Sequence, residues 1–343
     1  MADFELFSLG DIELQSGAIL VDAKIAYKTY GSLNSDKSNA IVYPSWFTGF
    51  ISDNEWLIGS GKALDPEKYF IVVVCAFGNG QSSSPSNHPS QGGSSFPAVS
   101  LYDNVSQQHR LVSQHFGISS VALVVGWSMG AQQTFQWAAL YPDMVQRICP
   151  FAGSAKTSPH NFVFLEGVKA GVVTDAAWSG GAYGSASPSK GLRAVARVYA
   201  GWGLTQAFYR QELWRAIGFK SLEDFLVGFW EAFFLKRDAN NLLLMLATWQ
   251  GADISANPKF QGDFVAALKA IKAKTLVLAP DNDLYFPKED NFREVETMQT
   301  VANSDVECVV IPGVWGHFAG GGINKDDTDF IDAHLKRLLA KHV

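Results

Sequence analysis

The chain has 343 residues, of which 47% are hydrophobic and 17% charged, so it is long enough and apolar enough to bury a substantial core. Its formal net charge of −6 argues against nucleic acid or an anionic membrane as the main partner. The first residues, MADFELFSLGDIELQSG, lack the basic and apolar regions of a secretory signal, and no apolar run reaches the roughly 20 residues of a membrane span.

Six short runs rich in β-branched residues predict buried strands. In chain order they are NAIVYPS, YFIVVVCAF, SVALVVG, RICPFAG, KTLVLAP and VECVVIP. The segments LYDNVSQQHRLVSQHFG and MGAQQTFQWAALYP predict helices between them. This alternation indicates an α/β fold with a mostly parallel sheet and helices on both faces. Cys75, Cys149 and Cys308 all lie in apolar runs, so we expect buried thiols and a cytoplasmic location.

The strand pattern lapses over residues 154–262, a stretch rich in Gly, Ser, Ala and aromatic residues. Phe225, Phe229 and Phe233 stand four residues apart, which predicts a helix with an aromatic face. That face is expected to pack on the main domain, to cover an active site and supply a subunit contact, or both. Because the strand pattern resumes at KTLVLAP, we expect a core domain of residues 1–153 and 263–343 with a helical lid insertion at 154–262.

Ser128 lies in Gly126-Trp127-Ser128-Met129-Gly130, between a predicted strand and a predicted helix. This is the G-x-S-x-G pattern in the context that it requires, a sharp turn that exposes a nucleophilic hydroxyl above a sheet. Glycines two residues away on either side give such a turn the space that it needs. The following helix N-terminus favours negative charge beside the serine. A chance match in a chain rich in Gly and Ser is the alternative.

A serine nucleophile needs a base and an acid that orients the base, in the chain order Ser, acid, His. Among seven histidines, His317 stands directly after the last predicted strand in the glycine-flanked loop WGHFAGGG. The acid should follow the preceding strand, where both Asp281 and Asp283 are candidates and spacing alone does not choose between them. The two aspartates are a weak metal signal, because no third ligand stands nearby in the sequence.

The oxyanion formed during acyl transfer needs two N–H donors. Met129, the residue after the nucleophile, is expected to supply one. The other should come from the loop after an early strand, IVYPSWFTGF, where we choose Phe47 over Trp46.

These segments together resemble the homoserine O-acetyltransferase family of α/β-hydrolases over nearly the whole chain. The resemblance rests on AYKTYGSLN, FTG, FGNGQSSSPS, GWSMGAQQTFQWA, RDANNLLL, NDLYFP and WGHF, in this order. It implies the α/β-hydrolase fold, a helical lid, a homodimer that pairs through the lid helices, and Asp283 as the acid. It implies no metal and no bound cofactor, since acetyl-CoA would be a substrate of a transferase.

The departures from that family concern recognition of the amino acid acceptor. The family has an aspartate after the catalytic histidine, where this chain has Phe318, and a tyrosine in the lid, where it has Leu242. A family arginine corresponds, in a loose alignment, to Lys169. A site without charged and polar partners rejects a zwitterion strongly. We therefore expect an apolar substrate pocket formed by Trp46, Leu242 and Phe318.

The sequence thus predicts a serine carboxylesterase that hydrolyses short-chain, mainly acetyl, esters through an acyl-enzyme, with a small-molecule ester as its partner. The alternative is a homoserine O-acetyltransferase or related O-acyltransferase using acetyl-CoA. A non-catalytic binding protein on the same scaffold should lack part of the triad, and nothing is missing. A dinucleotide site at FGNGQ lacks the third glycine and the downstream acid.

Overall fold

Eight strands form one sheet in the computed structural model, which describes residues 3–302 and 304–342. Their order is β1-β2-β4-β3-β5-β6-β7-β8, with β2 antiparallel to β1 and β4 and the other neighbours parallel. The strands are β1 (Glu5–Glu13), β2 (Ile19–Tyr30), β3 (Ala40–Pro44), β4 (Phe70–Val74), β5 (Val121–Trp127), β6 (Arg147–Phe151), β7 (Lys274–Pro280) and β8 (Val306–Ile311). All six predicted strands are present, and the predicted α/β-hydrolase fold is confirmed.

Eleven α-helices cover the sheet within the described residues. They are α1 (Leu101–Arg110), α2 (Met129–Leu140), α3 (Pro159–Val173), α4 (Ser189–Gly203), α5 (Gln206–Arg210), α6 (Leu222–Phe225), α7 (Ala232–Phe234), α8 (Ala239–Gln250), α9 (Phe264–Lys269), α10 (Lys288–Gln299) and α11 (Lys325–Leu339). A π-helical turn, Leu111–His115, extends α1, and a second, Leu226–Glu231, joins α6 to α7.

The central strands are buried on both faces, because successive side chains point to opposite sides of a sheet. In β3, Ile41 and Tyr43 belong to one hydrophobic core and Val42 to the other. The first core continues into α3 to α8, which lie between β6 and β7, and into α11. The second contains side chains of α1, α2, α9 and α10. This two-sided burial explains why these strands are nearly continuous apolar runs.

The N-terminal hairpin of β1 and β2 was not predicted from the sequence. Only two of the nine residues of β1 are buried, so the strand lacks a continuous apolar run. Its pairing with β2 also shifts register on either side of Gly10. Such a bulge interrupts the two-residue alternation by which a half-exposed strand is identified.

Ser128, Asp283 and His317 follow β5, β7 and β8 respectively. Because these strands run parallel, their carboxyl ends lie at one edge of the sheet, where α/β proteins bind their ligands. Helices α3 to α8 all fall between β6 and β7 in the chain. No helix of the described residues is both long and apolar enough to cross a membrane.

Candidate active site

Ser128 occupies a strained turn between β5 and α2. Its backbone has φ 59° and ψ −123°, a conformation that a residue with a side chain rarely adopts. A Cβ on Gly126 would lie 2.3 Å from the carbonyl oxygen of Gly130, and one on Gly153 would lie 2.6 Å from that of Ser128. Close backbone packing therefore requires a glycine at position 126, two residues before the serine. The same argument applies to Gly153 in the neighbouring loop.

A continuous hydrogen-bonded chain joins three buried side chains. His317 Nδ1 lies 2.8 Å from Asp283 Oδ2, and His317 Nε2 lies 2.9 Å from Ser128 Oγ. A carboxylate oxygen only accepts hydrogen bonds, so Nδ1 carries the imidazole proton and Nε2 is left to accept from the serine hydroxyl. The indole of Trp127 stacks on the imidazole with ring centroids 5.1 Å apart, and its N–H donates to the His317 carbonyl at 3.2 Å.

The two candidate aspartates lie in different environments. Asp283 Oδ1 accepts hydrogen bonds from the backbone N–H groups of Tyr285 and Phe286, at 2.8 and 3.2 Å, which leaves Oδ2 for His317. Asp281 instead pairs with Lys288, and hydrogen bonding to this ammonium group lowers the pKa of the Asp281 carboxyl. The geometry thus places Asp283, and not Asp281, against the imidazole.

Two backbone N–H groups beside the serine are candidate donors to an oxyanion. Met129 is the first residue of α2, and Phe47 lies in the loop after β3 and lines the same cavity as Ser128. In residues 3–302 and 304–342, neither N–H donates to another protein atom. Thr48 follows with φ 58°, so this loop is also tightly turned. Such N–H groups suit an oxyanion that develops in the cavity.

The serine and the histidine open into a cavity of about 200 Å³ with mainly aromatic walls. The aromatic residues that line it are Trp46, Phe47, Trp127, Tyr199, Phe229, Trp230, Phe233, Phe234, Trp249, Tyr285 and Phe318. The cavity therefore suits a small, largely apolar molecule. Of these residues, Phe229, Trp230, Phe233 and Phe234 come from the segment for which the sequence predicted an aromatic helix that packs on the main domain, covers an active site, or both.

The three predicted pocket residues are not all together. Trp46 and Phe318 line the cavity that contains Ser128, whereas Leu242 lines a neighbouring cavity with Thr48 and Arg237. Lys169 is half-exposed on α3 and lies near Glu166, with Nζ 3.6 Å from Oε1. Leu242 on α8 therefore does not line the cavity that contains Ser128, and this corrects the expectation from the family alignment.

Acidic, histidine and cysteine side chains form no cluster of three or more that could hold a metal ion in the described part of the chain. Asp53 is the one carboxylate that lines the cavity in this part of the chain. It accepts a hydrogen bond from the Phe50 N–H at 2.9 Å and lies 3.6 Å from Arg237.

A serine–histidine–aspartate chain at the carboxyl edge of this sheet is the site of an α/β-hydrolase, and a family model for the alpha/beta hydrolase fold matches residues 47–319. The chain belongs to this family. It is 41% identical to an ethyl acetate hydrolase of Pseudomonas veronii, over 98% of this chain and 95% of that protein. It is 31% identical to a homoserine O-acetyltransferase of Methanosalsum zhilinae, over 90% of this chain and 68% of that protein. The solved structure of the acetyl esterase MekB matches with a TM-score of 0.94 and 40% identity, over 99% of this chain and 97% of that one.

Proposed function

We propose that the protein is a serine carboxylesterase that hydrolyses acetyl and other short-chain esters, with Ser128, His317 and Asp283 as its catalytic triad. The observation that carries the proposal is the hydrogen-bonded chain from Asp283 to Ser128, which ends in a small aromatic cavity. Full-length relatives about 40% identical are named ethyl acetate hydrolase and acetyl esterase, which supports the same class of substrate.

In the proposed mechanism, His317 Nε2 removes the hydroxyl proton as Ser128 Oγ attacks the ester carbonyl carbon. The N–H groups of Met129 and Phe47 donate to the oxyanion. The imidazolium, stabilised by Asp283, then gives its proton to the alkoxy oxygen, so the alcohol leaves and an acyl-serine remains. Water, deprotonated by His317, attacks this acyl group, and the acid is released as the serine regains its proton.

Hydrolysis is favoured over transfer to an amino acid because, among residues 3–302 and 304–342, the cavity offers an ammonium group no free anionic partner. Phe318 stands where the family transferases carry an aspartate, and the Asp53 carboxylate is already near Arg237. A zwitterion that entered would lose its hydration without replacement bonds, at a cost of several kcal/mol. A short-chain ester buries mostly apolar surface and avoids that cost.

The test is a panel of short-chain esters, incubated with and without homoserine and acetyl-CoA and followed by product analysis. We expect acetates to be hydrolysed best, with no acceleration by homoserine. Formation of O-acetylhomoserine from acetyl-CoA at a rate equal to ester hydrolysis would overturn the esterase assignment in favour of the acyltransferase. The Ser128→Ala variant is the control for uncatalysed hydrolysis.

We also propose that residues 154–262 act as a lid and that two copies pair through its helices. Phe229, Trp230, Phe233 and Phe234, which line the cavity with Ser128, all come from this stretch. On α3, Phe162 and Val163 are exposed on the outer side of the lid. An apolar patch of this kind suits a protein contact. Sedimentation should give twice the chain mass for the wild type, and Val163→Lys should shift the equilibrium towards single chains.

We also propose that the protein is located in the cytoplasm. Cys75, Cys149 and Cys308 carry free thiols, which is usual in a reducing compartment. Cell fractionation of the native host tests it, and recovery of the protein with secreted or periplasmic markers would contradict it.

A further inference from the structure

The roof of the cavity is one short segment of chain, residues 226–237. Trp230 packs edge-on to Phe318 with ring centroids 5.2 Å apart. Phe233 stacks on Trp46 at 6.1 Å. Because both partners line the cavity beside Ser128 and His317, a shift of this segment would change the space above the reacting atoms.

The segment begins with the π-helical turn Leu226–Glu231. π-helical turns are rare overall, and those that occur are often at functional sites. Such a turn changes which side chains share one face of the helix. Phe229 and Trp230 face the cavity, whereas the next residue, Glu231, turns its carboxylate to α4. The turn therefore places a charged side chain immediately beside the aromatic roof.

The Glu231 carboxylate joins the roof to α4 through two arginines one helical turn apart. Its Oε1 accepts a hydrogen bond from Arg197 Nε at 2.8 Å, and its Oε2 is paired with Arg193 Nη1. The Glu231 side chain is only 4% exposed, whereas those of Arg193 and Arg197 are 50% and 44% exposed. A carboxylate buried to this extent is stable only when cationic partners replace its hydration.

The C-terminal end of the segment is fixed to the core domain. The Arg237 guanidinium lies between the rings of Phe50 and Phe233, 4.1 and 4.4 Å from their centroids. It also lies 3.6 Å from Asp53. The segment that carries Phe229, Trp230, Phe233 and Phe234 is therefore fixed at two points, by the ion pair of Glu231 to α4 in its middle and by the cation–π contact of Arg237 to the core at its C-terminal end.

We infer that Glu231 is a positioning residue that limits the size of the ester by fixing the aromatic roof against α4. The inference rests on the proposed esterase function and concerns the same cavity. Neutralising Glu231 leaves two half-exposed arginines that water can solvate, so the fold should survive the change. The roof should then move more freely, and esters larger than acetates should enter.

The test compares Glu231→Gln with the wild type and with Glu223→Gln. Glu223 binds the same arginine, with its Oε1 2.6 Å from Arg197 Nη2, but its side chain is 66% exposed and it lies outside the cavity wall. The substrates are p-nitrophenyl acetate, butyrate and hexanoate, with kcat and KM measured for each. The melting temperature and the fraction of chains labelled by a small fluorophosphonate verify folding.

For Glu231→Gln we expect the ratio of kcat/KM on hexanoate to that on acetate to rise by about tenfold, the lower end of what one methylene of pocket fit contributes. Most of the change should lie in KM for the longer ester, and Glu223→Gln should stay within about twofold of the wild type. An unchanged ratio in folded Glu231→Gln, or an equal rise in Glu223→Gln, overturns the inference.

If Glu231→Gln does not fold, Arg193→Gln decides, because it removes one of the two partners from a half-exposed position. We expect it to raise the ratio in the same direction by a smaller factor, and an unchanged ratio in folded Arg193→Gln overturns the inference. A wild-type protein that hydrolyses none of the three esters contradicts the proposed function instead, so the two failures are distinguishable.

Discussion

Replacing Asp283 by Asn tests the proposed triad with little change in shape. The amide oxygen can keep the two hydrogen bonds that Asp283 Oδ1 now accepts from the Tyr285 and Phe286 N–H groups. The amide nitrogen then takes the place of Oδ2, 2.8 Å from His317 Nδ1. Because this nitrogen donates, Nδ1 must accept, and the imidazole proton moves to Nε2.

In this tautomer the imidazole nitrogen next to Ser128 carries a proton and cannot act as a base. The Nε2–H, 2.9 Å from Ser128 Oγ, cannot remove the hydroxyl proton, and the imidazolium also loses its stabilising charge. The same change in a serine protease triad lowers kcat about 10⁴-fold. At about 1.4 kcal/mol for each factor of ten, this is a barrier increase of about 5.5 kcal/mol.

Initial rates on p-nitrophenyl acetate measure the effect, with Asp281→Asn as the matched control. Asp281 lies two positions earlier on the same loop but pairs with Lys288 at the surface, so its loss should change kcat by less than about threefold. Circular dichroism and thermal melting establish that both variants are folded. Near-wild-type activity of folded Asp283→Asn, or a larger loss in Asp281→Asn, would refute the assignment of the acid.

Three further predictions concern the nucleophile, its turn and a buried acid. Ser128→Ala should lose activity by about 10⁴-fold or more with an unchanged melting temperature, and residual turnover above that level contradicts the mechanism. Gly126→Ala places a Cβ 2.3 Å from the Gly130 carbonyl oxygen and should lower the free energy of unfolding by about 1–3 kcal/mol in a denaturation assay. Gly167→Ala is the control, because a Cβ there would meet no atom within 4 Å beyond its own helix backbone and chain neighbours, and it should be neutral or stabilising. Burial raises the pKa of Glu294 from its ordinary 4.5 to about 8, so between these values the unfolded chain loses a proton that the folded protein keeps. As the pH rises through that range, the free energy of unfolding of the wild type should therefore fall relative to that of Glu294→Gln by about 1.4 kcal/mol per pH unit. Parallel plots of unfolding free energy against pH for the two proteins would show that Glu294 does not titrate in this way.

Most of the strands that the sequence predicted are buried along nearly their whole length. Strands β3 to β7 are apolar on both faces, so composition alone identifies them, and the edge strand β8 is half-buried but still reads as an apolar run. The hairpin of β1 and β2 is half-exposed and interrupted at Gly10, and no simple period survives there. Ser128, Asp283 and His317 could be identified from the sequence because each follows an apolar strand, and parallel strands end at one edge of the sheet.

The cavity wall was harder to predict because it depends on the direction of individual side chains. Alignment placed Leu242 at a family position but did not show that its side chain points into the neighbouring cavity. The four-residue spacing of Phe225, Phe229 and Phe233 suggested one regular helix face. In the structure Trp230 and Phe234 line the cavity together with Phe229 and Phe233, whereas Phe225 is fully buried outside the cavity wall and stacks on Phe229.

The order of the strands also has a consequence during biosynthesis. Ser128 and its turn are complete once β5 and α2 have been translated, but His317, the base in the proposed mechanism, lies 189 residues further along the chain, after the edge strand β8. A nascent polypeptide that has not reached His317 carries a serine with no general base, whatever part of the sheet has already formed. Hydrolysis should therefore begin only when His317 has left the ribosome and β8 has docked beside β7. Onset of activity in a translation extract would report completion of the sheet.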